Sequence, residues 1–168
     1  MKVDKRKSEV FLSLGSNLGD KMLHLKNARN SIRIKAGEII RSSSIYETEA
    51  WGNEELNSFY NQVICIKTAL SAEELLLVLK QIEREAGRQD SISGNYENRV
   101  IDIDILFYED KIIYSENLKV PHIHLHKRNF VLVGANEIVP EKIHPELNKS
   151  VKQLYIESAD RTKCIKIS

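Results

Sequence analysis

An α+β sandwich of the ferredoxin-like kind is the fold the sequence predicts: a four-stranded antiparallel sheet core with two helices packed on one face. Two observations lead there. Apolar periodicity switches between 2 and 3.6 along the chain in the order strand–helix–strand–strand–helix–strand, with short connections. The chain also has 168 residues, 42% apolar and 29% charged, which suits one globular domain with a substantial core. No linker, repeat or low-complexity stretch divides it, so residues 1–168 read as a single domain.

The elements follow in order. "VFLSLGSN" is a short apolar strand that ends in the turn residues Gly15, Ser16 and Asn17. Leu18, Met22, Leu25, Ala28 and Ile32 recur at helical spacing, which predicts a helix from near Asp20 to Gly37. "EIIRSSSIYETEAW" alternates weakly and reads as one strand, and "GNEELNS" as a polar loop. "FYNQVICIKTAL" is a clearer strand, β-branched around Cys65. "SAEELLLVLKQIEREAGR" is the strongest helix: Ser71 and Glu74 form a capping box, Leu75, Leu76, Leu79 and Ile82 a buried stripe, and Gly87 the stop. "QDSISGNYEN" is polar and contains glycine, the composition of a mobile loop. "NRVIDIDILFY" is a strand, and its last four residues, apolar on both faces, predict a central and covered position. A hairpin over "YEDKIIYSENLKV" follows, Pro121 breaks it, and "KRNFVLVGANEIVP" gives a short helix ending before Pro140. The tail carries little signal.

Charge and composition exclude several classes. A formal net charge of +1 offers no bulk attraction for nucleic acid or an anionic membrane. No segment approaches the roughly 20 apolar residues of a membrane span, and the basic start "MKVDKRKSEV" lacks the apolar stretch of a signal peptide. Cys65 lies in an apolar run and reads as a buried free thiol, Cys164 in a polar tail; a reducing, cytoplasmic compartment fits both.

The chemistry concentrates in "NRVIDIDILFY". In an extended chain Asp102 and Asp104 share one face while Ile101, Ile103 and Ile105 share the other. Two residues of strand rise separate the acids by roughly 7 Å at the backbone, so their repulsion is on the order of 2 kcal/mol at a dielectric of about 20. On a covered strand such a pair suits magnesium, which takes one or two carboxylates plus substrate phosphates. Arg88 and Arg99 flank the polar loop, and Lys119, His122, Lys127 and Arg128 follow, a set of cations matched to phosphate oxygens. There is no "GxxxxGK[ST]" and no "GxGxxG", so a nucleotide would bind without those cradles. His122, His124 and His126 alternate like strand residues, a spacing zinc can use, but no further ligand can be named. Two rivals stay open at this point: another magnesium-dependent phospho- or nucleotidyltransferase, and a non-catalytic ferredoxin-like binding module.

Six pieces in chain order narrow the choice. "FLSLGSNLGDK", "SSIYETEAWG", "FYNQVICI", "IEREAGR", "NRVIDIDILFY" and "VPHIHLHKRNFVLVGANEIVP" together resemble hydroxymethyl-dihydropterin pyrophosphokinase, from about Phe11 to Pro145. The resemblance implies transfer of pyrophosphate from ATP, the co-substrate, to the hydroxymethyl group of 6-hydroxymethyl-7,8-dihydropterin, releasing AMP, in folate biosynthesis. It implies two magnesium ions on Asp102 and Asp104, with Arg88 and Arg99 as catalytic contacts to the phosphates. Glu83, Arg99, Ile105, Lys119, His122 and Arg128 fall on the ATP side. Asn61 reads the pterin edge beside Thr48, Trp51 and Gly52, and Phe59 and Phe130 enclose the ring. It further implies a monomer acting on small molecules, with no nucleic-acid or membrane partner. The chain departs from the family in "TEAWG", which lacks the usual prolines, and at Phe59, Lys119, Ile123 and Tyr96.

Overall fold

The structure is a computed structural model that describes residues 6–50, 57–87 and 98–168. Chain order is β1 (Ser8–Ser16), α1 (Lys21–Lys35), β2 (Glu38–Ser42), β3 (Tyr46–Thr48), β4 (Phe59–Thr68), α2 (Ala72–Glu85), β5 (Asp102–Tyr108), β6 (Ile113–Tyr114), β7 (Lys119–Val120), a 3-10 turn (Leu125–Lys127), α3 (Asn129–Ile138), α4 (Val151–Glu157) and β8 (Cys164–Lys166). The main sheet runs β5-β1-β4-β3-β8, with β2 also on β4, and every pairing is antiparallel. Among the described residues it therefore has six strands where four were expected.

Helices cover both faces, not one. Val10, Leu12 and Leu14 of β1 point to a core shared with Leu25, Ala28 and Ile32 of α1 and Leu75, Leu79 and Ile82 of α2. Phe11 points the other way, to a second core with Val131, Leu132 and Ala135 of α3 and Val151 and Leu154 of α4. This explains why β1 and β4 read as nearly continuous apolar runs: a sheet covered twice leaves no polar face.

Several boundaries differ from expectation for local reasons. Helix α1 begins at Lys21, capped by the Asp20 carboxylate accepting from Leu23 N, so Leu18 and Met22 stay largely exposed outside its buried stripe. The capping box of α2 forms as expected, and Gly87 ends it at φ 97°, a conformation only glycine adopts readily. Leu76, expected in the stripe, is only partly buried and turns toward the cleft described below. The single strand expected over 38–51 breaks at Ser43, whose hydroxyl accepts from Val63 N and replaces a ladder partner. The pieces, β2 and β3, still lie along the same edge of β4.

The hairpin forms as β6 and β7, with Ile113 opposite Val120. The tail supplies α4, whose Ser150 and Gln153 make a second capping box, and β8, which pairs with β3. The three histidines expected on a strand lie in a turn and the 3-10 segment instead. Cys65 is buried and Cys164 partly so, both free thiols. Among the described residues no helix is long and apolar enough to cross a membrane.

Strand β5 is the sheet's edge, not its centre. Its outer backbone groups are met otherwise: Ile103 N donates to Glu83 Oε1 at 2.7 Å, and His122 N donates to Leu106 O at 3.0 Å. Covering an edge this way prevents further strand pairing and leaves room beside it for a ligand.

Candidate active site

The sheet register assembles the site. Gly15 of β1 stands opposite Asn61 of β4 on one side and Asp102 of β5 on the other. Ser13 likewise stands between Val63 and Asp104. Directly paired residues share a face, and neighbouring strands lie about 4.8 Å apart, so Asn61 and Asp102 face one floor roughly 10 Å apart. Gly15 keeps that floor open: a Cβ there would lie 2.9 Å from Asn61 Oδ1.

Above this floor and around the edge of β5 opens a cleft of about 500 Å³. Thr48, Phe59, Asn61, Glu83, Arg99, Asp102, Asp104, Ile105, Lys119, His122, Arg128 and Phe130 all line it, so the structure brings these expected residues together. Arg88, Trp51, Gly52 and the loop from Gln89 to Tyr96 lie outside the described residues. The cleft adds Ser13, Gly15, Leu76, Lys80, Asn117, Leu118 and His124 to the expected set. Leu76, Lys80 and Glu83 are spaced by four and three on α2, a helical face that the sequence displays but that an apolar-stripe reading passes over.

Each acid has its own cation. Arg99 Nη1 is 3.2 Å from Asp102 Oδ1. Arg128 Nη1 is 3.9 Å from Asp104 Oδ2, and His122 Nε2 is 3.7 Å from the same oxygen. His122 Nδ1 accepts from His124 N at 3.1 Å, which places the ring proton on Nε2, toward Asp104. Burial, helped by the Arg128 charge, pushes His122 down to about 4, so it faces the acid as a neutral donor near pH 7. Burial first, then the Asp102 charge, hold the Asp104 carboxyl above the ordinary carboxylate range, and Arg128 opposes both. Asp104 keeps 34% of its side chain open to the cleft, so water moderates this.

The position of Arg99 depends on Asn17, which the sequence presented only as turn chemistry. Arg99 N donates to Asn17 Oδ1 at 2.6 Å and Asn17 N donates to Arg99 O at 3.1 Å. Asn17 Nδ2 donates to Asn98 Oδ1 at 2.8 Å and to Asn57 O at 3.2 Å, tying the end of β1 to the segments that lead into β4 and β5. On the other side of the floor, Asn61 Nδ2 donates to Thr48 Oγ1 at 2.6 Å, which turns its carbonyl oxygen toward the open floor at Gly15.

The donor set fits magnesium. Asp102 and Asp104 face one cleft with side chains 25% and 34% exposed, and a hard cation needs only one or two carboxylates when phosphate oxygens complete its shell. The histidines diverge: His122 turns to Asp104 while His126 packs edge-on against His144. Among the described residues no group of three or more His, Cys, Asp or Glu side chains is arranged to hold a metal by itself.

Comparison with known proteins gives a consistent result. The profile of the family described as 7,8-dihydro-6-hydroxymethylpterin-pyrophosphokinase matches residues 11–140. A 2-amino-4-hydroxy-6-hydroxymethyldihydropteridine pyrophosphokinase of Aquifex aeolicus is 40% identical over 155 residues, covering 92% of this chain and 95% of that protein. A protein of the same name from Porphyromonas gingivalis is 39% identical over 139 residues, covering 82% and 94%. Among solved structures, wild-type Plasmodium falciparum HPPK-DHPS with pteroate superposes with a TM-score of 0.74 at 19% identity, a likeness of fold. It covers 90% of this chain and 44% of that longer one.

Proposed function

The chain belongs to the 7,8-dihydro-6-hydroxymethylpterin-pyrophosphokinase family, and from that premise we infer how its cleft performs the family's reaction. It is an ATP-dependent pyrophosphokinase of folate biosynthesis: it moves pyrophosphate from ATP to the hydroxymethyl group of 6-hydroxymethyl-7,8-dihydropterin and releases AMP. The observation that carries the assignment of residues is the row Asn61–Gly15–Asp102. It sets the Asn61 amide and the Asp102 carboxylate on one floor, which supports reading the first as the pterin contact and the second as a metal ligand.

Asp102 and Asp104 are the metal ligands in this reading. They would hold the two magnesium ions of this reading, whose positive charge would offset the charge that develops on the phosphates. Arg99 and Arg128 already pair with the acids. Each guanidinium also matches phosphate oxygens, to which it can donate in a bidentate way. His122 donates from Nε2 and Lys119 adds charge on the ATP side; Arg88, outside the described residues, is assigned to the phosphates by the family resemblance alone. Glu83 acts there chiefly by holding the Ile103 backbone, and Ile105 lies beside it at the edge of β5. On the pterin side Asn61, oriented by Thr48, reads the polar edge. Phe59 of β4 and Phe130 of α3 enclose the ring, while Trp51 and Gly52, outside the described residues, are assigned to the pterin by the family resemblance alone.

We take the enzyme to be a cytoplasmic monomer acting on small molecules. Two free thiols suit a reducing compartment, and a net charge of +1 offers no bulk attraction for nucleic acid. The test is AMP release from ATP, measured with and without magnesium and with and without the pterin. Release only when both are present is expected; pterin-independent release would overturn the assignment.

A further inference from the structure

Helix α3 has no cap of its own. Its N-cap position is Arg128, a side chain that cannot accept a hydrogen bond, and no side-chain cap bond forms there. The acceptor comes from the tail instead: Asn129 N donates to Asp160 Oδ2 at 2.8 Å. Asp160 is itself fixed, because its Oδ1 accepts from Thr162 N at 2.9 Å and Thr162 Oγ1 at 2.6 Å. The tie is double, since Asn129 Nδ2 donates back to Thr162 O at 2.9 Å.

The residues on either side of Asn129 are the ones that matter in the cleft. Arg128 faces Asp104 and its guanidinium lies 5.7 Å from the Phe130 ring centre. Both Arg128 and Phe130 line the cleft. An N-cap acceptor at position 128 would satisfy the helix but remove that cation. Capping from a distance lets the chain keep both, and a carboxylate at a helix N-terminus is favoured by the helix dipole as well.

We propose that Asp160 is a positioning residue: by capping α3 in place of Arg128, it sets Arg128 toward the phosphate side and Phe130 toward the pterin side. The inference rests on the reading of Arg128 and Phe130 as site residues given above. Neither a shift of α3's first turn nor its fraying would spare these two groups, and misplacement by about 1 Å can cost up to about 100-fold in rate.

Steady-state kinetics on Asp160→Ala test it. The expected result is a fall of roughly tenfold or more in kcat together with a rise in pterin KM. In an Arg128→Ala background the kcat effect should shrink to within about twofold, and in a Phe130→Ala background the pterin KM effect should do the same. Asp160→Asn, which keeps an acceptor oxygen, should recover much of the loss. Ser150→Ala, which removes the cap of α4 away from the cleft, should lower the melting temperature and leave the kinetics unchanged. Should Asp160→Ala not fold, Thr162→Ala removes the brace on Asp160 and is held to the same expectations. Wild-type kinetics in Asp160→Ala, undiminished effects in the two backgrounds, or an equal kinetic loss in Ser150→Ala would each overturn the proposal. Full activity in Arg128→Ala and Phe130→Ala would instead refute the site reading on which it stands.

Discussion

A single methyl group decides whether the cleft floor stays open. Gly15→Ala would put a carbon 2.9 Å from Asn61 Oδ1, and Asn61 cannot easily yield because its amide is held by Thr48 at 2.6 Å. The expected outcome is a clear rise in pterin KM with ATP KM nearly unchanged, in a protein that folds but melts lower because the contact must be relieved by a shift. Equal changes for both substrates would show that Gly15 does not border the pterin. Asp104 gives the complementary case. Its carboxyl is held above the ordinary range by burial and by Asp102, so its ionised form is disfavoured in the fold. Asp104→Asn should therefore raise the melting temperature of the metal-free protein near pH 8, where the carboxylate must be charged, and raise it little near pH 4. Turnover should fall by about 10²–10³-fold, the scale for removing one principal electrostatic group. Thermal melts at the two pH values and a single assay check both halves. A variant that stays active counts against the metal assignment, and one less stable at pH 8 against the disfavoured charge.

At the level of elements, what stands out is how many ends are held by distant residues. The β5 edge is closed by Glu83 and by the His122 backbone, the end of β1 is knotted by Asn17, and α3 is capped by Asp160. The last of these has a pH signature. Burial works against the Asp160 charge, but bonds from Thr162 and from the Asn129 and Thr162 backbones outweigh it and lower its pKa below the ordinary value. A depressed carboxyl stabilises the fold above its unfolded pKa of about 3.9 and loses that contribution as the pH falls through the folded value. The stability gap between wild type and Asp160→Asn should thus stay flat from about pH 8 to 5 and close below about pH 4. Urea unfolding at a series of pH values reads it directly. A gap that persists to pH 2 would mean that the charge contributes nothing to the cap.

Two cores share one sheet, and this shapes the whole molecule. Phe11, Val63 and Phe107 belong to the core under α3 and α4, while Leu12, Ile64 and Ile105 on the same strands belong to the one under α1 and α2. Each fully buried side chain of this kind contributes about 1.5–3 kcal/mol, so neither layer can leave without exposing the strands that anchor the other. We expect residues 1–168 to unfold as a single domain: one calorimetric transition, with van't Hoff and calorimetric enthalpies in agreement. Two separable transitions would show that the layers fold independently. The C-terminal strand takes part in the same unit, since Ile165 lies opposite Glu47 and Ile167 N donates to Ile45 O.

Local pattern was enough for a good deal of this protein. The alternation in "NRVIDIDILFY" put both aspartates on one face, the capping box and stripe placed α2, and six motifs in order indicated the family. These rest on spacing within a segment, which φ/ψ geometry fixes wherever the segment lies. What the sequence could not display is which strands become neighbours and in what register. Nothing in the residues around Gly15 says that Asn61 and Asp102 flank it, and β5 reads as central although it is an edge. The tail's α4 and β8 were missed because their apolar segments are short, although Ser150 and Gln153 spell a capping box. Asp160 was illegible for a stronger reason. A cap supplied from 31 positions away leaves no mark on the helix it serves except the oddity of an arginine where an acceptor belongs, and only the tertiary fold turns that oddity into a bond.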